Sequence, residues 1–139
     1  MINSPIIVIS GCTASGKSDI ALQLAKKING VIINADSRQV YKEISIGTAK
    51  PVPDRTENDV WYIDNIPHYL FSYVSVKEKY NLYRYQKDVF NLLKNLPKNK
   101  VPILVGGTGL YIDSVVFNYQ LEQEENDSEY KDRELITED

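Results

Sequence analysis

An apolar run, Ile6-Ile7-Val8-Ile9, leads into Gly11-Cys12-Thr13-Ala14-Ser15-Gly16-Lys17-Ser18, and a helical pattern follows. The octet fits G-x-x-x-x-G-K-[ST], the phosphate-cradling P-loop. A buried strand, a glycine-rich turn and a helix in that order leave few folds open to the chain. The glycines let the backbone curl so that its N–H groups face phosphate oxygens, and the helix adds its positive N-terminal end. Lys17 brings a full charge, and the Ser18 hydroxyl suits Mg²⁺. The octet therefore implies a phosphorylated ligand, without saying whether it is ATP.

The rest of the chain reads as strands alternating with helices. Apolar residues Ala21, Leu24, Ala25 and Ile28 recur at helical spacing, so a helix is expected from about Lys17 to Ile28. Asn29-Gly30 is its stop, and Val31-Ile32-Ile33 is a second strand running to Asn34-Ala35-Asp36-Ser37. A second helix is expected from Leu82 to Leu96, with Asn81 as cap and Pro97 as stop. Val101 to Val105 is a third strand, ending in Gly106-Gly107-Thr108-Gly109, and a short helix spans Leu110 to Phe117. Residues 44–67 contain Pro51, Pro53 and Pro67 and read as a long functional loop. Residues 68–76 have weak strand character.

The expectation is an α/β fold: a P-loop-type parallel sheet with helices on both faces and right-handed crossovers. The core spans 1–119, and 120–139 is an acidic tail or the start of a further insertion. The P-loop, the Asp36 region and the Gly106–Gly109 loop all follow strand ends. Ligands of open parallel sheets bind along that edge.

Charge is unevenly spread. The net is −3, yet residues 122–139 hold nine acidic and two basic residues, which leaves a mildly basic body. Such a body is compatible with nucleic-acid contact and equally with an ordinary solvated surface. One cysteine excludes a disulfide framework, and no stretch reaches transmembrane length, so a cytoplasmic protein without membrane contact is expected.

Asp36 sits where a carboxylate faces the phosphate site. It either binds Mg²⁺ through water, acts as general base on an acceptor, or caps a turn. His68, the only histidine, reads as structural, and Cys12 as a space-filler. The third strand ends in Gly-Gly where a conventional ATPase carries an aspartate, which favours group transfer over hydrolysis.

Together these elements resemble the tRNA dimethylallyltransferase (tRNA isopentenyltransferase) family. The resemblance rests on the P-loop, Ala35-Asp36-Ser37-Arg38-Gln39-Val40-Tyr41, Ile46-Gly47-Thr48-Ala49-Lys50-Pro51, Pro67-His68-Tyr69-Leu70 and Val105-Gly106-Gly107-Thr108-Gly109-Leu110-Tyr111. It implies transfer of a dimethylallyl group from dimethylallyl diphosphate to N6 of the adenosine just 3′ of the anticodon. Gly11, Cys12, Thr13, Ala14, Ser15, Gly16, Lys17 and Ser18 would hold the diphosphate, with Mg²⁺ at Ser18. Asp36 would be the general base and Thr108 would lie beside the amine. Asp36, Ser37, Arg38 and Gln39 would contact tRNA.

The chain departs from the family pattern at Cys12, Arg38 and Tyr69, and residues 54–66 look longer than usual. Family members also run further, so the chain reads as an N-terminal half, inactive alone or active with a complementing C-terminal half. The rival readings are an isopentenyltransferase acting on free adenine nucleotides, a small-molecule P-loop kinase, and a fragment without activity.

Overall fold

The computed structural model describes residues 6–10, 17–37, 39–42, 52–106 and 110–116. In chain order these form β1 (Ile7–Ser10), α1 (Lys17–Ile28), β2 (Gly30–Asn34), β3 (Arg55–Glu57), β4 (Val60–Ile63) and β5 (Ile66–Tyr69). They continue with α2 (Leu82–Asn95), β6 (Val101–Gly106) and α3 (Leu110–Val116). The strands make one sheet in the order β1-β6-β2-β5-β4-β3. β6 runs parallel to both β1 and β2, and β5 runs parallel to β2. The expected α/β architecture is therefore present, with a mostly parallel sheet.

Alternation along the strands explains why helices cover both faces. Ile32, Ile103 and Val105 pack with Ala21 and Ala25 of α1. Ile33 and Leu104 point the other way, into a cluster with Tyr85 and Val89 of α2 and Ile112 and Val115 of α3. α1 lies close because its contact residues are small. A Cβ on Gly30 would come within 3.1 Å of the Ala25 Cα and 2.8 Å of the Ile103 Cδ1.

The helix ends follow the chemistry of their residues. Asn29 takes a left-handed conformation (φ 59°) and stops α1. The Asn81 side chain accepts the Arg84 N–H at 2.9 Å, capping α2 as the sequence leads one to expect. At the other end Leu96 is extended, the conformation forced on a residue preceding proline.

One expectation is corrected. Much of 44–67 is not a loop. Residues 55–69 fold into the antiparallel strands β3, β4 and β5, extending the parallel sheet. The two connections are Asn58-Asp59 and Asp64-Asn65, and all four residues have positive φ. Paired left-handed residues match the right-handed twist of flanking strands, and Asn and Asp tolerate that conformation. The prolines obscured this pattern. Pro67 stands in β5 opposite Tyr62, one residue before the pairing with β2 begins at Ile32 and His68.

Candidate functional site

Three strand ends meet at the carboxyl edge of the sheet. Ser10 pairs with Gly106, and Asn34 with Val105. Ala35 carries the ladder one step further, its N–H bonding the Val105 carbonyl at 2.8 Å. Adjacent strands lie about 4.8 Å apart, so the exits of β1, β6 and β2 fall within about 10 Å. Asp36 leaves that edge two strands from the point where the glycine-rich loop begins. Gly11 to Gly16, Arg38 and Thr108 lie outside the described residues. Lys17 begins α1, and Ser18 is exposed in its first turn.

The segment carrying Asp36 is held on several sides. Asp36, Ser37 and Gln39 form a turn in which the Gln39 N–H bonds the Asp36 carbonyl at 3.1 Å. Asp36 and Ser37 are partly exposed, whereas Gln39 is buried. Residues 70–74 run alongside. Ser72 N–H bonds the Gln39 carbonyl at 2.9 Å, and Tyr73 and Val74 N–H groups both bond the Val40 carbonyl. That neighbouring segment is anchored on α2. The Tyr73 and Tyr80 hydroxyls bond each other, and Tyr73 donates to Asp88 Oδ2 at 2.7 Å. Burial pushes the Tyr73, Tyr80 and Tyr85 phenols well above the ordinary tyrosine value, so they stay neutral.

In the sequence Asn34 reads only as the end of a strand. It is fully buried, and its side chain bonds both ends of Asp36. The available signal was an amide in an otherwise apolar strand, since buried amides require partners.

On the α1 face a cavity of about 310 Å³ opens beside Ser18, with Ala21, Leu22, His68, Phe71 and Val105 in its wall. His68 is buried, and its Nδ1 lies 2.9 Å from the Ile66 carbonyl. A carbonyl only accepts, so Nδ1 carries the proton. Burial lowers the imidazole pKa below its usual 6.5, against the opposing pull of the Ile66 carbonyl. The unfolded chain therefore binds a proton at a pH where the folded one does not. This contribution to stability is complete above about pH 6.5 and is lost as pH falls toward the lowered folded value. Thermal melts from pH 7 to pH 5 are expected to show a smaller acid-induced drop for His68→Gln than for the parent chain. An equal drop in both would deny the effect.

Among the described residues no three His, Cys, Asp or Glu side chains gather as a metal site. The exposed Ser18 hydroxyl suits a cation whose remaining ligands are phosphate oxygens and water. No described helix is long and apolar enough to cross a membrane.

This arrangement has counterparts among known proteins. The family model described as IPP transferase matches residues 39–138, and that described as isopentenyl transferase matches residues 4–67. The chain belongs to the IPP transferase family. A tRNA dimethylallyltransferase of Staphylococcus aureus (strain JH9) is 44% identical over 124 residues, covering 88% of this chain and 38% of that protein. The crystal structure of a tRNA delta(2)-isopentenylpyrophosphate transferase from Staphylococcus epidermidis superposes with a TM-score of 0.72 at 39% identity. A full-length tRNA isopentenylpyrophosphate transferase from Bacillus halodurans gives 0.76 at 32%. Each structural match covers 94% of this chain and 41% of the other. The chain thus spans about two fifths of the length of these relatives and corresponds to their N-terminal part.

Proposed function

We propose that this chain carries the donor-binding and proton-accepting part of a tRNA dimethylallyltransferase. The observation that supports this best is the convergence of three strand ends at one edge, with Asp36 two strands from the start of the P-loop. In the reaction the N6 lone pair of adenosine forms a bond to C1 of dimethylallyl diphosphate. The C1–O bond breaks, and its electron pair leaves with the diphosphate. The N6 proton passes to the Asp36 carboxylate.

Each group has a task set by this chemistry. An aromatic amine is a weak nucleophile, so removing its proton as C1 becomes cationic lowers the barrier. Backbone N–H groups of the P-loop and Lys17 stabilise the departing negative charge. Ser18 would hold Mg²⁺, which supplies further charge neutralisation at the diphosphate. The apolar cavity wall beside Ser18 suits a hydrocarbon next to that anion. Ser37, Arg38 and Gln39 follow Asp36 directly and would contact tRNA, with Thr108 beside the amine. A base reaching this edge must leave its stack.

A complementing C-terminal part, of the kind the relatives have length for, would grip the tRNA. The isopentenyl transferase match over 4–67 keeps a second acceptor, a free adenine nucleotide, in view. A chimaera decides between them. This chain replaces the matching N-terminal stretch of the Staphylococcus aureus relative, and prenylation of an anticodon stem-loop and of AMP is measured. Transfer to the stem-loop supports the proposal. Transfer to AMP alone favours the second reading. Robust transfer to the stem-loop by the 139-residue chain alone would show that no complementing part is needed.

A further inference from the structure

We infer that Asn34 is a positioning residue, whose carboxamide sets where the Asp36 carboxylate stands. The inference rests on the reading of Asp36 as general base. Asn34 ends β2 and has no exposed surface. Its Oδ1 accepts the Asp36 N–H at 2.8 Å, and its Nδ2 donates to the Asp36 carbonyl at 3.0 Å. One side chain therefore holds both backbone polar groups of the next residue but one. The peptide planes on either side of the Asp36 Cα cannot rotate without breaking a bond. Fixing those planes fixes the Cα–Cβ bond, the axis about which the carboxylate turns, and so limits the acid to the few rotamer positions around it.

The second Nδ2 bond gives the clamp an external anchor. It reaches the Leu70 carbonyl at 3.0 Å. Leu70 has φ 67° and Ser72 φ 49°, left-handed values that side chains other than Gly, Asn and Asp rarely adopt. A strained backbone of this kind persists only where its surroundings hold it. The Asn34 backbone is anchored as well, because Tyr85 of α2 donates its hydroxyl to the Asn34 carbonyl at 2.8 Å. Asn34 thus joins β2, the 70–74 segment and α2 at the point from which Asp36 projects.

Geometry near a reacting centre carries a steep penalty: a displacement of about 1 Å costs up to about 100-fold in rate. Asn34→Ser retains an oxygen able to accept the Asp36 N–H but has a single O–H in place of the two N–H donors. Asn34→Leu keeps the bulk and loses every side-chain polar contact. In the chimaera, with turnover normalised to sites that bind inorganic diphosphate, Asn34→Ser is expected to lose about 10-fold and Asn34→Leu about 100-fold. The KM for dimethylallyl diphosphate should stay within about twofold, because an aimed carboxylate acts after the donor is bound. A role in folding alone reduces the number of binding sites without changing turnover per site. Unchanged turnover per site in both variants overturns the inference.

The same substitutions are read in the chain itself by amide hydrogen exchange. Loss of the clamp should speed exchange at the Asp36 N–H by about tenfold or more while the β6 amides keep their rates. Unchanged exchange at Asp36 also overturns the inference. If Asp36→Ala leaves turnover intact, the general-base reading fails separately, and the exchange result still decides whether Asn34 holds Asp36.

Discussion

Asp36→Ala is expected to lower turnover of the chimaeric enzyme by about 10²–10⁴-fold, the range of a lost general base. Affinity for inorganic diphosphate should stay within about twofold, because the proposed anion site is on α1 and the loop before it. Steady-state kinetics with saturating donor and calorimetric titration with diphosphate separate the two effects. Loss of diphosphate binding with unchanged turnover at saturation would contradict the assignment and make Asp36 an anion-site or metal-site residue. Asp36→Asn tests the same point with less change of shape. It preserves hydrogen bonding and removes the basicity, so it should resemble the alanine variant. A much milder loss would point to orientation of the acceptor as the residue's main contribution.

The second large effect belongs to a residue without a side chain. A Cβ on Gly106 would sit 2.5 Å from both the carbonyl carbon and oxygen of Ala35, and 2.9 Å from its Cβ. These are mainly backbone atoms, so no rotamer change relieves the overlap. β2 and β6 must part at the carboxyl edge, stretching the 2.8 Å bond from the Ala35 N–H to the Val105 carbonyl. Overpacking of this kind costs about 1–3 kcal/mol. Gly106→Ala is therefore expected to lower the melting temperature by roughly 3–10 °C. Because Asp36 follows Ala35, turnover per folded site should fall as well. Gly30→Ala is the control. It crowds α1 at the opposite end of β2, so it should destabilise while leaving turnover per folded site near that of the parent. Equal turnover losses in the two variants would mean that the site senses global stability and not the local gap.

The regular parts of this fold were legible because their signals are local. The α1 periodicity, the Asn81 cap with Pro97 beyond it, and the apolar strands β1, β2 and β6 each show in a short window. The antiparallel extension was local too, yet it was hidden. Val60-Trp61-Tyr62-Ile63 lies between two Asn/Asp pairs, a hairpin signature that the nearby prolines outweighed. Other features were beyond any local reading. Asn34 meets Leu70 and Tyr85 across 36 and 51 residues, and nothing near Asn34 in the sequence announces either partner. The Asp36 position was legible from its strand end and from the family resemblance. What holds it there was not.

The strand order has a consequence for the sequence of events in folding. β1 and β2 are joined through α1 but do not touch as strands, because β6 inserts between them. A growing chain has the P-loop and Asp36 in hand within its first forty residues. It cannot bring their strand ends into register until Gly106 has emerged. Among the described strands β1 pairs only with β6, so this join closes a loop of about ninety residues. Long closures of that kind are slow. Until then β1 is an unpaired apolar edge open to wrong partners. Assembly of the candidate site is thus gated by β6, and chains ending before residue 106 should contain the P-loop and Asp36 without the geometry that joins them.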